Sequence, residues 1–202
     1  MKVGFVSLGC SKNLVDTEMC IGVFRREKFE IVNNPKDAEI IVINTCGFIE
    51  SAKEEAINCM FEMAEYKKTG KCKYLVAMGC LVQRYKTDLE KSLPEVDLFI
   101  SIDEYDDFWK QIKLLVKNRQ ENTTDKMDYL DRVITTGKTT TYLKIAEGCS
   151  NRCTYCAIPY IRGPYISRPF EEVIEEAKKL AKEGYKEIIV IAQDTTKYGI
   201  DL

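Results

Sequence analysis

The chain has 202 residues, 45% of them hydrophobic and 31% charged, with a formal net charge of -2 and a pI near 5.5. Those values suit a packed globular protein and offer no basic footprint for nucleic acid. There is no histidine, which excludes Ser-His and Cys-His triads and mixed Cys/His zinc sites, and leaves nine cysteines as the soft ligands available.

The N-terminus (MKVGFVSLGC) lacks the length and cleavage site of a signal peptide, and no 18-residue apolar run follows. A cytoplasmic protein without membrane association is therefore expected, in a compartment where thiols stay reduced. Residues 2–8 read as a buried strand. Val15, Met19 and Val23 then recur on one helical face. Residues 29–32 form a short strand, and the unbroken run Glu39-Ile-Ile-Val-Ile43 reads as a strand covered on both faces. Ser51 and Glu54 make a capping-box pattern for a helix whose apolar face is Ile57, Met60, Phe61 and Ala64. Strands follow at 74–78 and 97–100, separated by a helix ending near Pro94. A helix through Trp109, Ile112 and Val116 completes the set.

This alternation predicts an α/β domain with a doubly wound parallel sheet over residues 1–117. Residues 118–138 are polar and aperiodic and read as a linker. A β-α-β unit occupies 139–202. It has a strand at 140–145, a helix at 169–182 with Pro169 in its first turn, Glu171 and Glu172 at its positive end and Gly184 as its stop, and a strand at 186–192. One such unit is too small for a domain, so the chain is expected to be truncated. The mixed charges of Lys53, Glu54 and Glu55, and of Glu175, Glu176, Lys178 and Lys179, read as solvated helix faces.

The cysteines fall into two groups. Cys149, Cys153 and Cys156 form a C-x3-C-x2-C run, able to wrap one corner of a four-iron cluster and leave its fourth iron open for a small molecule. Chance spacing and zinc are the alternatives, although zinc usually takes four ligands. Cys10, Cys46 and Cys80 are 36 and 34 residues apart, and each follows a predicted strand. The carboxyl ends of parallel strands share one edge, so these three should converge there as a second three-thiolate set. Gly9, Gly47 and Gly79 adjoin them and would let backbone amides form an anion nest. The alternative is three separate buried cysteines. Cys20 and Cys59 read as helix packing residues, and Cys72, in a Lys-rich turn, receives no role.

With Tyr155 just before the last cysteine, the C-x3-C-x2-C run after a first strand resembles the radical-SAM superfamily. That resemblance implies a cluster that donates an electron to S-adenosylmethionine and releases a 5′-deoxyadenosyl radical. It also implies a cofactor-contacting segment at Ala192-Gln193-Asp194, where the family usually has Gly-Gly-Glu, and a place for Tyr155 beside the adenine. A loop aromatic packed on the strand is the other reading of Tyr155.

The motif behind an α/β domain with strand-end cysteines is similar to the methylthiotransferase family. The stretches that carry this likeness are Ser7-Leu-Gly-Cys-Ser-Lys-Asn-Leu-Val-Asp-Thr-Glu18, Asn44-Thr-Cys-Gly-Phe-Ile-Glu-Ser-Ala-Lys53, Gly79-Cys-Leu-Val-Gln-Arg-Tyr85 and Ala192-Gln-Asp-Thr-Thr-Lys-Tyr-Gly199. Gly47-Phe48-Ile49 after the second cysteine places the chain nearer the branch acting on small-subunit ribosomal protein S-twelve than the tRNA branch. The resemblance implies two 4Fe-4S clusters, two molecules of S-adenosylmethionine, and insertion of a methylthio group at the β-carbon of an aspartate. It implies sulfur- and electron-donor proteins as further partners. Most of the barrel and a C-terminal β domain are absent, so this chain alone is expected to be inactive. The rival readings are a tRNA (adenosine) methylthiotransferase, an iron–sulfur electron carrier and a zinc-binding module.

Overall fold

The computed structural model describes residues 1–116 and 126–202. Five strands, β1 (Lys2–Ser7), β2 (Glu30–Val32), β3 (Ile40–Thr45), β4 (Tyr74–Gly79) and β5 (Leu98–Ile100), pair in parallel in the order β2-β1-β3-β4-β5. Helices α1 (Ser11–Arg26), α2 (Glu50–Ala64), α3 (Tyr66–Thr69), α4 (Cys80–Ser92) and α5 (Phe108–Val116) connect or follow them. The expected doubly wound α/β sheet is present, and its strand order reverses between β1 and β3.

Strand period 2 divides β3 between two cores. Ile41 and Ile43 join Leu75 and Ala77 under α2 and α4, packed on Met60, Met63, Leu81 and Leu89. Ile40 and Val42 point the other way, joining Val76, Met78 and Ile100 against α1 and α5. That second core centres on Phe24, whose ring meets Phe5, Phe29, Phe108 and Trp109 edge-on at centroid distances of 5.2–6.1 Å. Every residue of β3 is buried, as its unbroken apolar run requires.

Three local expectations change. The helix from Glu50 has Ile49 at its N-cap and no side-chain cap, so Ser51 and Glu54 do not form a capping box. A capping box forms instead at Ser101 with Glu104, opening a 3-10 turn (Ile102–Asp107) ahead of α5. Pro169 is the N-cap of its helix rather than a first-turn residue. Glu176 is not solvated: it is 1% exposed and pairs with Arg132 and Arg168.

The second half begins with β6 (Thr140–Lys144), which pairs in parallel with β9 (Glu187–Ile191) across α7 (Phe170–Lys182). Leu143, Ile145, Val173 and Leu180 form its core. Between β6 and α7 lies an antiparallel ribbon that the sequence did not announce, β7 (Ala146–Glu147) with β8 (Ile166–Ser167). It clasps the loop carrying Cys149, Cys153 and Cys156, which contains one short helix, α6 (Ile158–Arg162).

Residues 118–125 of the expected linker lie outside the described residues. Residues 126–138 have neither helix nor strand, yet they pack onto α1: the Val133 amide donates to the Glu18 carbonyl, and a Cβ on Gly22 would fall on the Asp131 carbonyl. This second contact surface is why α1 is buried almost all round rather than along the Val15, Met19, Val23 stripe alone.

Candidate functional site

The carboxyl edge of the five-stranded sheet carries the first cysteine group. Cys10 is the N-cap of α1, Cys80 opens α4, and Cys46 sits in the loop after β3. Cys10 and Cys46 therefore flank the place where strand order reverses, the usual ligand crevice of such sheets. Two of the three, Cys10 and Cys80, stand at the N-terminal ends of helices.

Glycines allow the three loops to touch. Gly9 has a φ of +89°, and a Cβ on it would lie 2.6 Å from the Cys46 Cβ; a Cβ on Gly47 would lie 2.7 Å from the Leu81 Cα. Gly79, with a φ of +101°, has no room for a Cβ beside Asn44 Oδ1. Their role here is close approach, and only Gly9 and Gly79 need the left-handed backbone.

At the centre stands Asn13, which the sequence reading passed over. Its Nδ2 donates to the carbonyls of Leu8 and Thr45 at 3.0 and 2.9 Å, holding the β1 and β3 ends together. Its Oδ1 lies 3.6 Å from Cys80 Sγ. Cys10 is exposed, Cys46 half-buried and Cys80 buried, so the group opens to the surface on one side. Burial pushes the Cys80 thiol up to about 11, with the Arg162 guanidinium pulling the other way.

The second group lies on the clasped loop. The Cys149 amide donates to the Gly163 carbonyl at 3.1 Å, and the Cys156 amide to the Cys153 carbonyl at 3.0 Å. Cys149 is buried, Cys156 half-buried and Cys153 exposed. A Cβ on Gly148 would fall on the Pro164 carbonyl, so glycine is again what lets the loop close.

Asp194 reaches this loop, accepting from Asn151 Nδ2 at 3.0 Å, while it caps the 3-10 turn Thr195–Lys197. The hydrogen bonds from Thr196 and Asn151 hold its carboxyl below the usual range. Gln193 is half-buried just after β9. Tyr155 is 87% exposed, so it is not an aromatic packed on the strand. The remaining cysteines pack. Cys20 lies 3.5 Å from the Met78 sulfur, Cys59 lines the α2 side of the core, and Cys72, unassigned from sequence, is buried in that core with its thiol toward the Tyr74 carbonyl.

A buried ionic seam joins the two halves, and the sequence reading missed it. Arg132 pairs with Glu18 at 2.5 Å and Glu176 at 2.8 Å, and all three side chains are at most 1% exposed. Lys144 pairs with Asp16 at 2.5 Å and Glu147 at 2.6 Å. Arg162 reaches Asp16, Glu147 and Asn13 Oδ1, the last at 2.6 Å. Burial works against the charge on Lys144, but Asp16 and Glu147 hold its pKa well above the ordinary value. Burial likewise pushes Glu147 up, yet Lys144 and Arg162 outweigh it and bring the carboxyl down to about 2. The only available signal was position: Asp16 and Glu18 lie within the helix stretch that holds Val15 and Met19, and Arg162 lies six residues past Cys156.

Among the described residues, no three Cys, Asp or Glu side chains are gathered as a site for a metal ion. An iron–sulfur cluster is a larger object whose thiolates bind separate irons. The donor set fits it: two groups of three cysteines, each in a cradle that a Cβ would fill, with no histidine present. No helix among the described residues is long and apolar enough to cross a membrane.

Comparison with known proteins agrees with this arrangement. Residues 2–101 match the uncharacterized protein family UPF0004, and residues 143–202 match the radical SAM superfamily. All 202 residues align, at 63% identity, with a ribosomal protein uS12 methylthiotransferase RimO from Alkaliphilus oremlandii. Proteins of the same name from Caldicellulosiruptor saccharolyticus and Clostridium botulinum are 52% and 50% identical across the whole chain. The chain spans 46–47% of the length of these relatives.

Proposed function

We propose, for a chain that belongs to the methylthiotransferase family of radical-SAM proteins, that it forms the front part of an enzyme modifying ribosomal protein uS12. The enzyme would act in the cytoplasm, adding a methylthio group to the β-carbon of an aspartate. The observation that carries this reading is the presence of two three-cysteine groups in one chain, one after the strands at the carboxyl edge of the five-stranded sheet and one on the clasped loop. The likeness to relatives named as uS12 methylthiotransferases supports the substrate over tRNA.

Membership of the superfamily implies an iron–sulfur cluster and S-adenosylmethionine. Cys149, Cys153 and Cys156 would hold one four-iron cluster, and Cys10, Cys46 and Cys80 a second. In each, three thiolates leave one iron open. When bound, the rear cluster (at Cys149, Cys153 and Cys156) with S-adenosylmethionine would supply the radical that removes a substrate hydrogen, and the front cluster (at Cys10, Cys46 and Cys80) would supply or carry the sulfur. The protein's part is orientation and exclusion of side reactions. Asp194, turned to the rear loop by Asn151, and neighbouring Gln193 would meet the methionine end of S-adenosylmethionine. Exposed Tyr155 would lie against its adenine. Separate proteins would donate sulfur and electrons.

The test is direct. Full-length protein, reconstituted anaerobically with both clusters and given a reductant, should add a methylthio mass to a peptide carrying the uS12 aspartate loop and leave tRNA unchanged. Modified adenosine with untouched peptide would overturn the substrate while leaving the cysteine assignment intact.

A further inference from the structure

The Arg162 guanidinium sits between the two cysteine groups and belongs to both. Its side chain is 1% exposed. Backwards along the chain it closes α6, and the next residue's carbonyl holds the Cys149 amide, so the position of Arg162 and that of the rear loop are tied. Forwards in space, its Nη2 donates to Asn13 Oδ1 at 2.6 Å and to Asp16 Oδ2 at 3.0 Å, while its Nη1 donates to both Glu147 carboxylate oxygens at 3.0 Å. Asn13 is in turn the residue that spans the ends of β1 and β3 and faces Cys80. Arginine is suited to this place because its fixed fork grips two carboxylates and an amide at once and its charge is permanent.

A cation beside cluster thiolates stabilises the more negative, reduced form and so raises the reduction potential; net charge and hydrogen bonding at the sulfurs are the ordinary levers on such potentials. We propose that Arg162 is a positioning residue shared by the two sites, which locks Asn13 against Cys80 and sets the potential of the front cluster from the rear loop. This rests on the reading of Cys10, Cys46 and Cys80 as cluster ligands. The redox event is the transfer of one electron from a low-potential reductant to the front cluster, with no bond made or broken in Arg162.

The test is a redox titration followed by electron paramagnetic resonance on the intact protein carrying both clusters. The front signal is identified by its loss in the C10A/C46A/C80A variant. Arg162→Gln should keep its iron but make the front cluster at least tenfold harder to reduce, a shift of 59 mV or more toward negative potential for one electron. Arg162→Lys, which keeps the charge, should recover most of that shift.

Glutamine leaves Asp16 facing Lys144 alone, so R162Q/D16N is the second variant, with less buried charge left unpaired. It should shift the same way by a smaller amount, because losing the Asp16 charge offsets part of the lost cation while Asn13, which faces Cys80, still loses the guanidinium. An unmoved potential in the loaded glutamine variants would overturn the proposal, as would a lysine variant shifted as far as glutamine. If neither glutamine form takes up front iron, a lysine variant that loads and keeps the parent potential supports the need for the charge, and one that loads at a shifted potential overturns it. Parent protein with no iron at the front cysteines would instead sink the cluster reading itself.

Discussion

Asn13 makes two hydrogen bonds to strand-end carbonyls and accepts one from Arg162; those to Thr45 and Arg162 are buried and that to Leu8 is partly so. Asn13→Ala removes the hydrogen bonds to the Leu8 and Thr45 carbonyls and one of the two made by Arg162 Nη2, which keeps Asp16. We expect a loss of about 1–3 kcal/mol in urea unfolding, together with reduced iron retention by the Cys10 group. Glu176 shows the harsher case. Its carboxylate holds Arg132 and Arg168 at 2.8 and 2.5 Å, and Glu176→Gln leaves two buried cations short of an anion. Breaking such a pair costs about 3–5 kcal/mol, and a denaturant titration should show it. By contrast, Lys68→Ala removes an exposed pair with Glu65 and should move the midpoint little, since such pairs contribute about 0–1 kcal/mol.

Glycine shapes the loops of both cysteine groups, Gly79 in the first and Gly148 in the second among them. Gly79 ends β4 in a backbone that L-residues rarely adopt, against Asn44. Gly79→Ala should add strain of about 1–3 kcal/mol and displace Cys80, so iron should fall at the front group while the rear group keeps its share. Gly148→Ala should do the reverse, because the Pro164 carbonyl occupies the space a methyl would need. Iron analysis of the two variants distinguishes these outcomes. The ribbon β7–β8 that clasps the rear loop also carries Glu147. Its carboxyl is depressed to about 2 in the folded chain, against an ordinary value of 4.5. Its contribution to stability is therefore fully present above about pH 4.5 and is lost as pH falls toward 2. In Glu147→Gln that part of the acid dependence should vanish from a pH series of melts.

Among the described residues, the two packed units are joined by a largely buried charged seam. A seam of this kind adds little net stability against an apolar one but admits few alternative alignments, which would suit the two proposed cysteine sites. Replacing Cys149, Cys153 and Cys156 with alanine should remove about half the iron, since three of the six proposed ligands go, and leave the sheet folded by circular dichroism. Loss of all iron, or of none, would contradict two sites. S-adenosylmethionine would need contacts beyond the two strands β6 and β9. This 202-residue chain should accordingly release no 5′-deoxyadenosine at a normal turnover rate, and chromatography of a reduced sample would reveal it if it did.

Much of this was legible in the residues alone. The β-branched run at 40–43, strand-helix alternation and the six cysteine positions are local patterns, and the parallel sheet follows from them because period 2 and period 3.6 each dictate which face is buried. That Cys10, Cys46 and Cys80 follow strands ending on one edge of the sheet also came from topology. What tertiary structure decided was the fate of charge. Asp16, Glu18, Arg132, Lys144, Arg162 and Glu176 have partners 8 to 146 residues away, apart from the local pair of Lys144 with Glu147. In isolation each has the composition of a solvated surface. Only when α1 is covered on its second side does a helix that looked half exposed become buried, and only then does a charge cost so much that each must find its counterpart.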